Sequence, residues 1–265
     1  MSAPPYEVYA IRYGTVERRA AENYIGGDPH EAAARMDYFV WLARNDERAV
    51  VIDTGFTADS ARRRQRDLLI DPAQGLRMLG VDPAEVRDVI LTHLHYDHAG
   101  NFAAFPEARL HLQESEMAYA TGRHMAERFF SHAYEVEEVV AMVRRVYERR
   151  VAYHDGEAAV APGITVHHIG GHTLGLQCVR IWTRLGWLVL ASDAAHYYAN
   201  MEQVRPFPIV LDVGKMVDGY RRLHELAGAP DRIVPGHDPL VMQRYPPARR
   251  DLEGMAVRLD ERRLG

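Results

Sequence analysis

The chain has 265 residues, 47% of them hydrophobic, and a formal net charge of −5 at pH 7. That composition fits a globular protein with a filled core and excludes the basic balance of a nucleic-acid binder. It also holds no apolar run long enough to span a membrane, and Cys178, the one cysteine, rules out an internal disulfide.

The positive charge is nearly all arginine, since Lys215 is the only lysine. Pairs such as Arg144–Arg145 and Arg149–Arg150 read as solvated helix faces. The N-terminus has neither the basic nor the apolar region of a secretory signal, and with a lone cysteine this fits a cytoplasmic setting. No linker composition interrupts the chain, so one domain over 1–265 is expected.

In chain order, residues 6–13 and 36–43 read as strands, and Val50–Ile52 as a short apolar strand stopping at the turn of Asp53-Thr54-Gly55. Residues 73–79 look helical. Residues 86–91 form a buried strand running into His93, and 109–112 another. A helical stretch follows over 114–150, in which Val136, Val139, Val140, Val143 and Val146 share one face. Residues 164–168, 177–182 and 187–191 read as strands. Val213, Met216, Val217, Tyr220 and Leu223 mark a second amphipathic helix, and 232–234 is a last strand before Pro235-Gly236. Strands with helices between them indicate an α/β protein with sheets inside and helices outside.

The chemistry concentrates in Thr92-His93-Leu94-His95-Tyr96-Asp97-His98-Ala99-Gly100. In an extended stretch alternate side chains share a face, so His93 and His95 can grip one metal. Asp97 and His98 come where the chain turns and can face a second. His172 in Gly170-Gly171-His172-Thr173, Asp193 after the strand 187–191, and His237 in Pro235-Gly236-His237-Asp238 each follow an apolar strand, where a rigid scaffold presents side chains. Imidazole and carboxylate suit zinc, and also iron or manganese. A lone histidine after a strand is ordinarily structural, and His30, His111, His124, His132, His154, His167, His168 and His224 are read so. Burying the HxHxDH run without a metal would strand several polar groups.

HxHxDH followed by separate His, Asp and His resembles the metallo-β-lactamase superfamily, over nearly the whole chain from the strand before Asp53 to His237. The resemblance implies an αββα sandwich, two mixed β-sheets flanked by helices, with the 114–150 stretch as a helical insertion. It implies His93, His95 and His172 on a first zinc, Asp97, His98 and His237 on a second, Asp193 between them, and Asp53 supporting the ligand loop. Cys178 lies in a strand and is expected in the core, which argues against a classical β-lactamase. Hydroxyacylglutathione hydrolases share the ligands, but their helical C-terminal domain has no counterpart in the residues after His237.

The closer resemblance is to N-acyl homoserine lactone lactonases, through HxHxDHAGN, the glycine-flanked His172, Ser192-Asp193-Ala194 and Pro235-Gly236-His237-Asp238. It implies a dinuclear hydrolase opening a small-molecule lactone, as a monomer or homodimer, with no nucleic-acid or membrane partner. Another two-metal hydrolase of aromatic lactones, aryl esters or thioesters is the alternative. Many lactonases carry a Tyr three residues after the bridging Asp to hold the substrate carbonyl; here that position is His196, followed by Tyr197 and Tyr198. His196 or Tyr197 is the expected replacement donor, and Asp97 the expected proton carrier to the leaving oxygen. Tyr24, Ile25, Met36, Phe129, Phe130, Tyr197, Tyr198 and Met201 are the candidate pocket walls.

Overall fold

The computed structural model describes residues 3–264 apart from Pro29 and Ala32. In chain order it forms β1 (Glu7–Arg19), β2 (Ala33–Arg44), β3 (Ala49–Ile52), α1 (Ala58–Arg64), β4 (Asp67–Leu68), α2 (Pro72–Met78), β5 (Asp88–Ile90) and β6 (Arg109–Gln113). Next come α3 (Glu114–Ala120), α4 (Arg128–Ser131), α5 (Val136–Tyr147), β7 (Val151–His154), β8 (Glu157–Ala161), β9 (Ile164–His168), β10 (Gln177–Thr183) and β11 (Gly186–Ser192). The chain closes with α6 (Tyr198–Glu202), α7 (Val213–Ala227), β12 (Ile233–Pro235), α8 (Leu240–Arg244) and β13 (Ala256–Arg258).

One sheet runs β13-β1-β2-β3-β5-β6-β7, with β4 paired to β1, and the other runs β12-β11-β10-β9-β8. Both are mixed. β3, β5, β6 and β7 are mutually parallel while β1, β2 and β3 are antiparallel, and only β11 and β12 are parallel in the second sheet. β2 shows why the sheets face each other. Phe39 and Trp41 point inward with Ile52, Val179, Ile181 and Leu190, while Tyr38, Val40 and Leu42 point the other way, against Leu76 of α2 and Met142 of α5. Both faces of β2 are buried, so its sequence is almost continuously apolar. On the far side Met216, Tyr220 and Leu223 of α7 cover the second sheet. This is the expected layering of two mixed sheets flanked by helices. No helix among the described residues is long and apolar enough to cross a membrane.

Several elements differ from expectation. β1 extends to Arg19 because a register shift between Arg12 and Gly14 lets the pairing with β2 continue. β7, β8 and β13 carried no strand signal; β8 is alanine-rich and lies at a sheet edge, where tertiary pairing outweighs weak propensity. In α5 the valine stripe is only partly the core face: Val139 packs against the core, Val136 is 73% exposed, and Met142 is the one fully buried residue. The inward row is Glu138, Met142 and Arg145, a turn apart each, and Arg145 donates to the carbonyl of Phe102 at 3.2 Å.

Candidate metal centre

Each candidate ligand follows the C-terminal end of a strand, along one edge of the sandwich. β5 leads into the turn carrying His93 to His98, β9 into the loop of His172, β11 into Asp193 and β12 into His237. Asp53 follows β3 with φ 61° and Ser192 precedes Asp193 with φ 47°. Such left-handed backbone in a non-glycine residue persists where its surroundings hold it. Asp53 accepts from the Thr92 backbone N–H at 2.7 Å and the Thr92 hydroxyl at 2.9 Å. Ser192 in turn donates to that hydroxyl at 2.8 Å. A Cβ at Gly236 would lie 2.8 Å from the Ser192 carbonyl carbon, so only glycine lets β12 bring His237 beside Asp193.

A second device joins the ligand loops. The carboxylate of Glu116, wholly buried on α3, accepts from Leu94 N at 3.0 Å and the Tyr134 hydroxyl at 2.9 Å through Oε1. Its Oε2 accepts from the Thr173 hydroxyl at 2.6 Å and Gly175 N at 3.0 Å. One side chain thus ties the turn of His93 and His95 to the loop of His172.

The seven side chains converge. Donor atoms of His93, His95, His172 and Asp193 lie within 4.8 Å of one another, and those of Asp97, His98 and His237 form a second group of the same kind. Asp193 divides its oxygens between the groups. Oδ2 is 3.1 Å from His172 Nε2 and 3.8 Å from His93 Nε2; Oδ1 is 3.2 Å from His98 Nε2 and 2.9 Å from His237 Nε2. Behind the cluster, Nδ1 of His98 meets Asp53 at 2.8 Å, Nδ1 of His172 the Ile209 carbonyl at 2.6 Å, and Nδ1 of His237 the Asp37 carbonyl at 2.9 Å. An Nδ1–H donating outward leaves a bare Nε2 facing inward, the tautomer a metal needs. Nε2 of His93 and of His98 are buried and make no hydrogen bond. Each such orphan costs about 1–3 kcal/mol. The donors present fit a divalent cation in each group, which would satisfy the His93 orphan in one and the His98 orphan in the other.

Electrostatics agree for His93 and His95, while His98 is drawn toward its charged form by the carboxylates around it. Burial, with neighbouring imidazoles, holds His93 and His95 well below the ordinary imidazole range, so both are neutral lone-pair donors. Burial also opposes charge on His98, but Asp193, Asp97 and Asp53 outweigh it and raise its pKa well above the usual value. Burial would raise Asp193; the imidazoles of His196, His237, His98 and His172 instead hold its carboxyl well below the usual range.

A family model described as the metallo-beta-lactamase superfamily matches residues 35–237. The chain belongs to the metallo-beta-lactamase superfamily. An N-acyl homoserine lactonase of a Bacillus species is 26% identical over 225 residues, covering 77% of this chain and 82% of its own. One from Agrobacterium fabrum is 35% identical over 129 residues, covering 47% of this chain and 46% of its own. A solved quorum-quenching N-acyl homoserine lactone lactonase shares the fold with a TM-score of 0.76 at 23% identity, covering 90% of this chain and 95% of that one. As expected, Cys178 is a wholly buried core residue in this superfamily member.

The remaining predicted residues divide. The imidazole of His196 is in the cluster, its Nε2 2.9 Å from Asp193 Oδ2 and its ring stacked on Phe207 at 3.5 Å. Burial lowers its pKa to about 3. The neutral ring has one N–H, which Asp193 accepts, while Nδ1 is buried without a partner. Tyr197 turns away, its hydroxyl on the Arg35 carbonyl at 3.4 Å. His196 lines the cavity beside the cluster, and the Tyr197 hydroxyl is engaged elsewhere.

A cavity of about 280 Å³ opens on the cluster, lined by Met36, Tyr38, Tyr96, Phe207 and Ile209 with Arg18, Arg64 and Arg66. A second of about 220 Å³ adjoins it, sharing His95, His132, His172 and Ile209, and is walled by Tyr119, Phe129, Phe130, Pro208 and Leu211. Of the predicted wall residues Met36, Phe129 and Phe130 take part. Tyr198 and Met201 are core, and Tyr24 and Ile25 lie off the cavity, the Tyr24 ring under the Arg205 guanidinium. Sequence reasoning missed Tyr38, Arg18, Arg66, Phe207 and the wall residue His132. Only the alternation of β2 held a signal, since it places Tyr38 on the face shared with Met36.

Proposed function

We propose that this hydrolase opens the ring of a lactone, with N-acyl homoserine lactones as the leading substrate class, and that the chain 1–265 acts as one catalytic domain. The observation that carries the reading is the carboxylate of Asp193, whose two oxygens face separate groups of imidazoles. We assign His93, His95 and His172 to one ion, Asp97, His98 and His237 to the other, and Asp193 to both; zinc is the first choice, with iron and manganese also suited to these donors. The lactonase names of the relatives support the substrate class.

When bound, two divalent ions supply Lewis acidity toward a carbonyl and lower the pKa of water from about 15.7 toward ~7. The protein's own groups do the rest. Arg66 Nε donates to the Tyr96 hydroxyl at 3.1 Å, and that hydroxyl lies 3.2 Å from the hydroxyl of Tyr38. Either hydroxyl can donate in that pair; we assign the donated proton to Tyr96, which leaves the Tyr38 O–H for the substrate carbonyl. Tyr38 thereby takes the role expected of His196 or Tyr197, and His196 instead holds the orientation of Asp193. Asp97 Oδ2, 3.6 Å from His98 Nε2 and 3.8 Å from His237 Nε2, is the nearby carboxylate to carry a proton to the leaving ring oxygen. Phe129, Phe130, Ile209 and Leu211 give an acyl chain an apolar wall that excludes water.

The test is zinc-loaded protein against N-hexanoyl homoserine lactone, an unsubstituted γ-lactone, an aryl ester and a thioester, with metal content measured on the same sample. Lactone opening is expected, lost together with metal in D193A. Protein carrying two metals per chain that leaves both lactones intact, while cleaving the ester or thioester, would replace the lactone reading by the second one.

A further inference from the structure

Two arginines of the cavity have no ion-pair partner among the described residues, in a chain whose other arginines are often paired. Arg64 shows the contrast. Its guanidinium meets Glu135 at 2.7 Å and the carbonyls of His132 and Tyr134, so its charge and donors are used. Arg18, half-buried near the end of β1, makes one hydrogen bond, to the Glu22 carbonyl at 2.8 Å, and its Nε is buried without a partner. Its guanidinium lies 5.4 Å from the Phe207 ring centre, and Phe207 stacks on His196. Arg66, also half-buried, donates to the Tyr96 hydroxyl and to the Arg64 carbonyl at 2.7 Å, which leaves one terminal nitrogen without a hydrogen bond. Both line the cavity that opens on the His/Asp cluster, whereas Phe129 and Phe130 line the adjoining one.

The terminal guanidinium nitrogens of Arg18 and Arg66 that make no hydrogen bond within the chain are left to meet a ligand in the cavity they line. Their planar forks match the oxygens of a carboxylate or a phosphate. We propose that the substrate carries an anionic oxyacid group, set apart from the bond to be cleaved, which Arg18 and Arg66 hold while the apolar part occupies the aromatic lobe. The site is thus two-sided: ester carbonyl at the cluster, anion toward the arginines, hydrocarbon toward Phe129 and Phe130. This rests on the hydrolase reading above but not on the ester being cyclic. The cationic wall also draws an anionic substrate into the cleft, an effect that salt screens.

The experiment compares matched substrates on the zinc-loaded protein. One pair is a γ-lactone bearing a ring carboxylate and its carboxamide, with a phosphomethyl lactone as a third member. The other is 4-nitrophenyl hydrogen glutarate and 4-nitrophenyl butyrate. The expected result is a kcat/KM at least about tenfold higher for the anionic member, falling toward unity in R18Q and R66Q and at high salt. The carboxylate and phosphate lactones show which oxyacid is preferred. Lactones left intact with the preference kept in the aryl esters would sink the lactone reading and leave this one standing. Lactones opened with an anionic-to-neutral ratio near one, unchanged in R18Q, would overturn this one and leave the lactone reading standing.

Discussion

Replacing Glu116 by glutamine probes how the two ligand loops are held together. The wild-type carboxylate accepts four donors, and two of them, Leu94 N–H and Gly175 N–H, are backbone groups that cannot reverse. An amide presents one oxygen and one NH2. The oxygen keeps one pair of donors. Facing the NH2, a hydroxyl of Tyr134 or Thr173 can rotate to accept, but one backbone N–H is left unpaired. That orphan costs about 1–3 kcal/mol, and loss of charge assistance at the other bonds adds about 2 kcal/mol, for a total of roughly 3–5 kcal/mol. At about 2–4 °C per kcal/mol for a chain of this size, Tm falls by about 6–20 °C. The loops of His95 and His172 lose their common anchor, so zinc affinity drops about 10–100-fold. Calorimetry on chelated and zinc-loaded protein reads both effects, since the gap between the two Tm values reports binding. An E116Q protein that melts within 2 °C or so of the parent in both states, given the ~6 °C minimum, would refute the clamp.

Asp53→Asn keeps a residue that tolerates left-handed backbone but turns an acceptor into a donor facing His98 Nδ1. His98 then carries its proton on Nε2, and zinc affinity falls about 10–100-fold; imidazole 15N shifts report the tautomer, and an unchanged shift would refute it. Glu138, half-buried, has a pKa raised to about 9 by burial, with Glu135 and Asp97 adding to it. The folded state therefore holds a proton that the unfolded chain releases above about 4.5, so stability falls as pH rises from there toward about 9. E138Q removes that loss: Tm at pH 8 rises, by up to about 5 kcal/mol in equivalent free energy, while Tm near pH 4.5 stays put. Equal gains at both pH values would show a packing effect instead. Tyr38→Phe is expected to cut kcat about 10–100-fold with metal content unchanged, and Tyr197→Phe to leave kcat near the parent value; the reverse ranking would return the carbonyl donor to Tyr197.

The seven ligand candidates stood out in the sequence because each is a histidine or aspartate at the end of an apolar strand, and four of them share one short run. That is local information: alternation sets which side chains share a face, and the end of a strand presents the next few residues at the sheet edge. The layering was legible for the same reason, with β2 reading as a strand and Met216, Tyr220 and Leu223 as one stripe of α7. The valines of α5 show where this reasoning stops. Their spacing is helical, yet the helix turns Met142 inward and leaves Val136 to solvent, because the partner surface, not the helix, selects the face.

What only the tertiary structure decided are the partners that meet across long stretches of chain. Glu116 looked like any surface glutamate until four donors from three segments surrounded it. Tyr38, Arg18 and Arg66 come from a strand face, a strand end and a loop, and no period or spacing links them to His93 or Asp193. The surroundings of His196 are of the same kind, its Nε2 beside a carboxylate three residues away and its face on Phe207. The chain's own pattern named the groups that can bind a metal. Packing, which depends on distances between residues far apart in sequence, chose which groups line the cavity and which charges remain unpaired there.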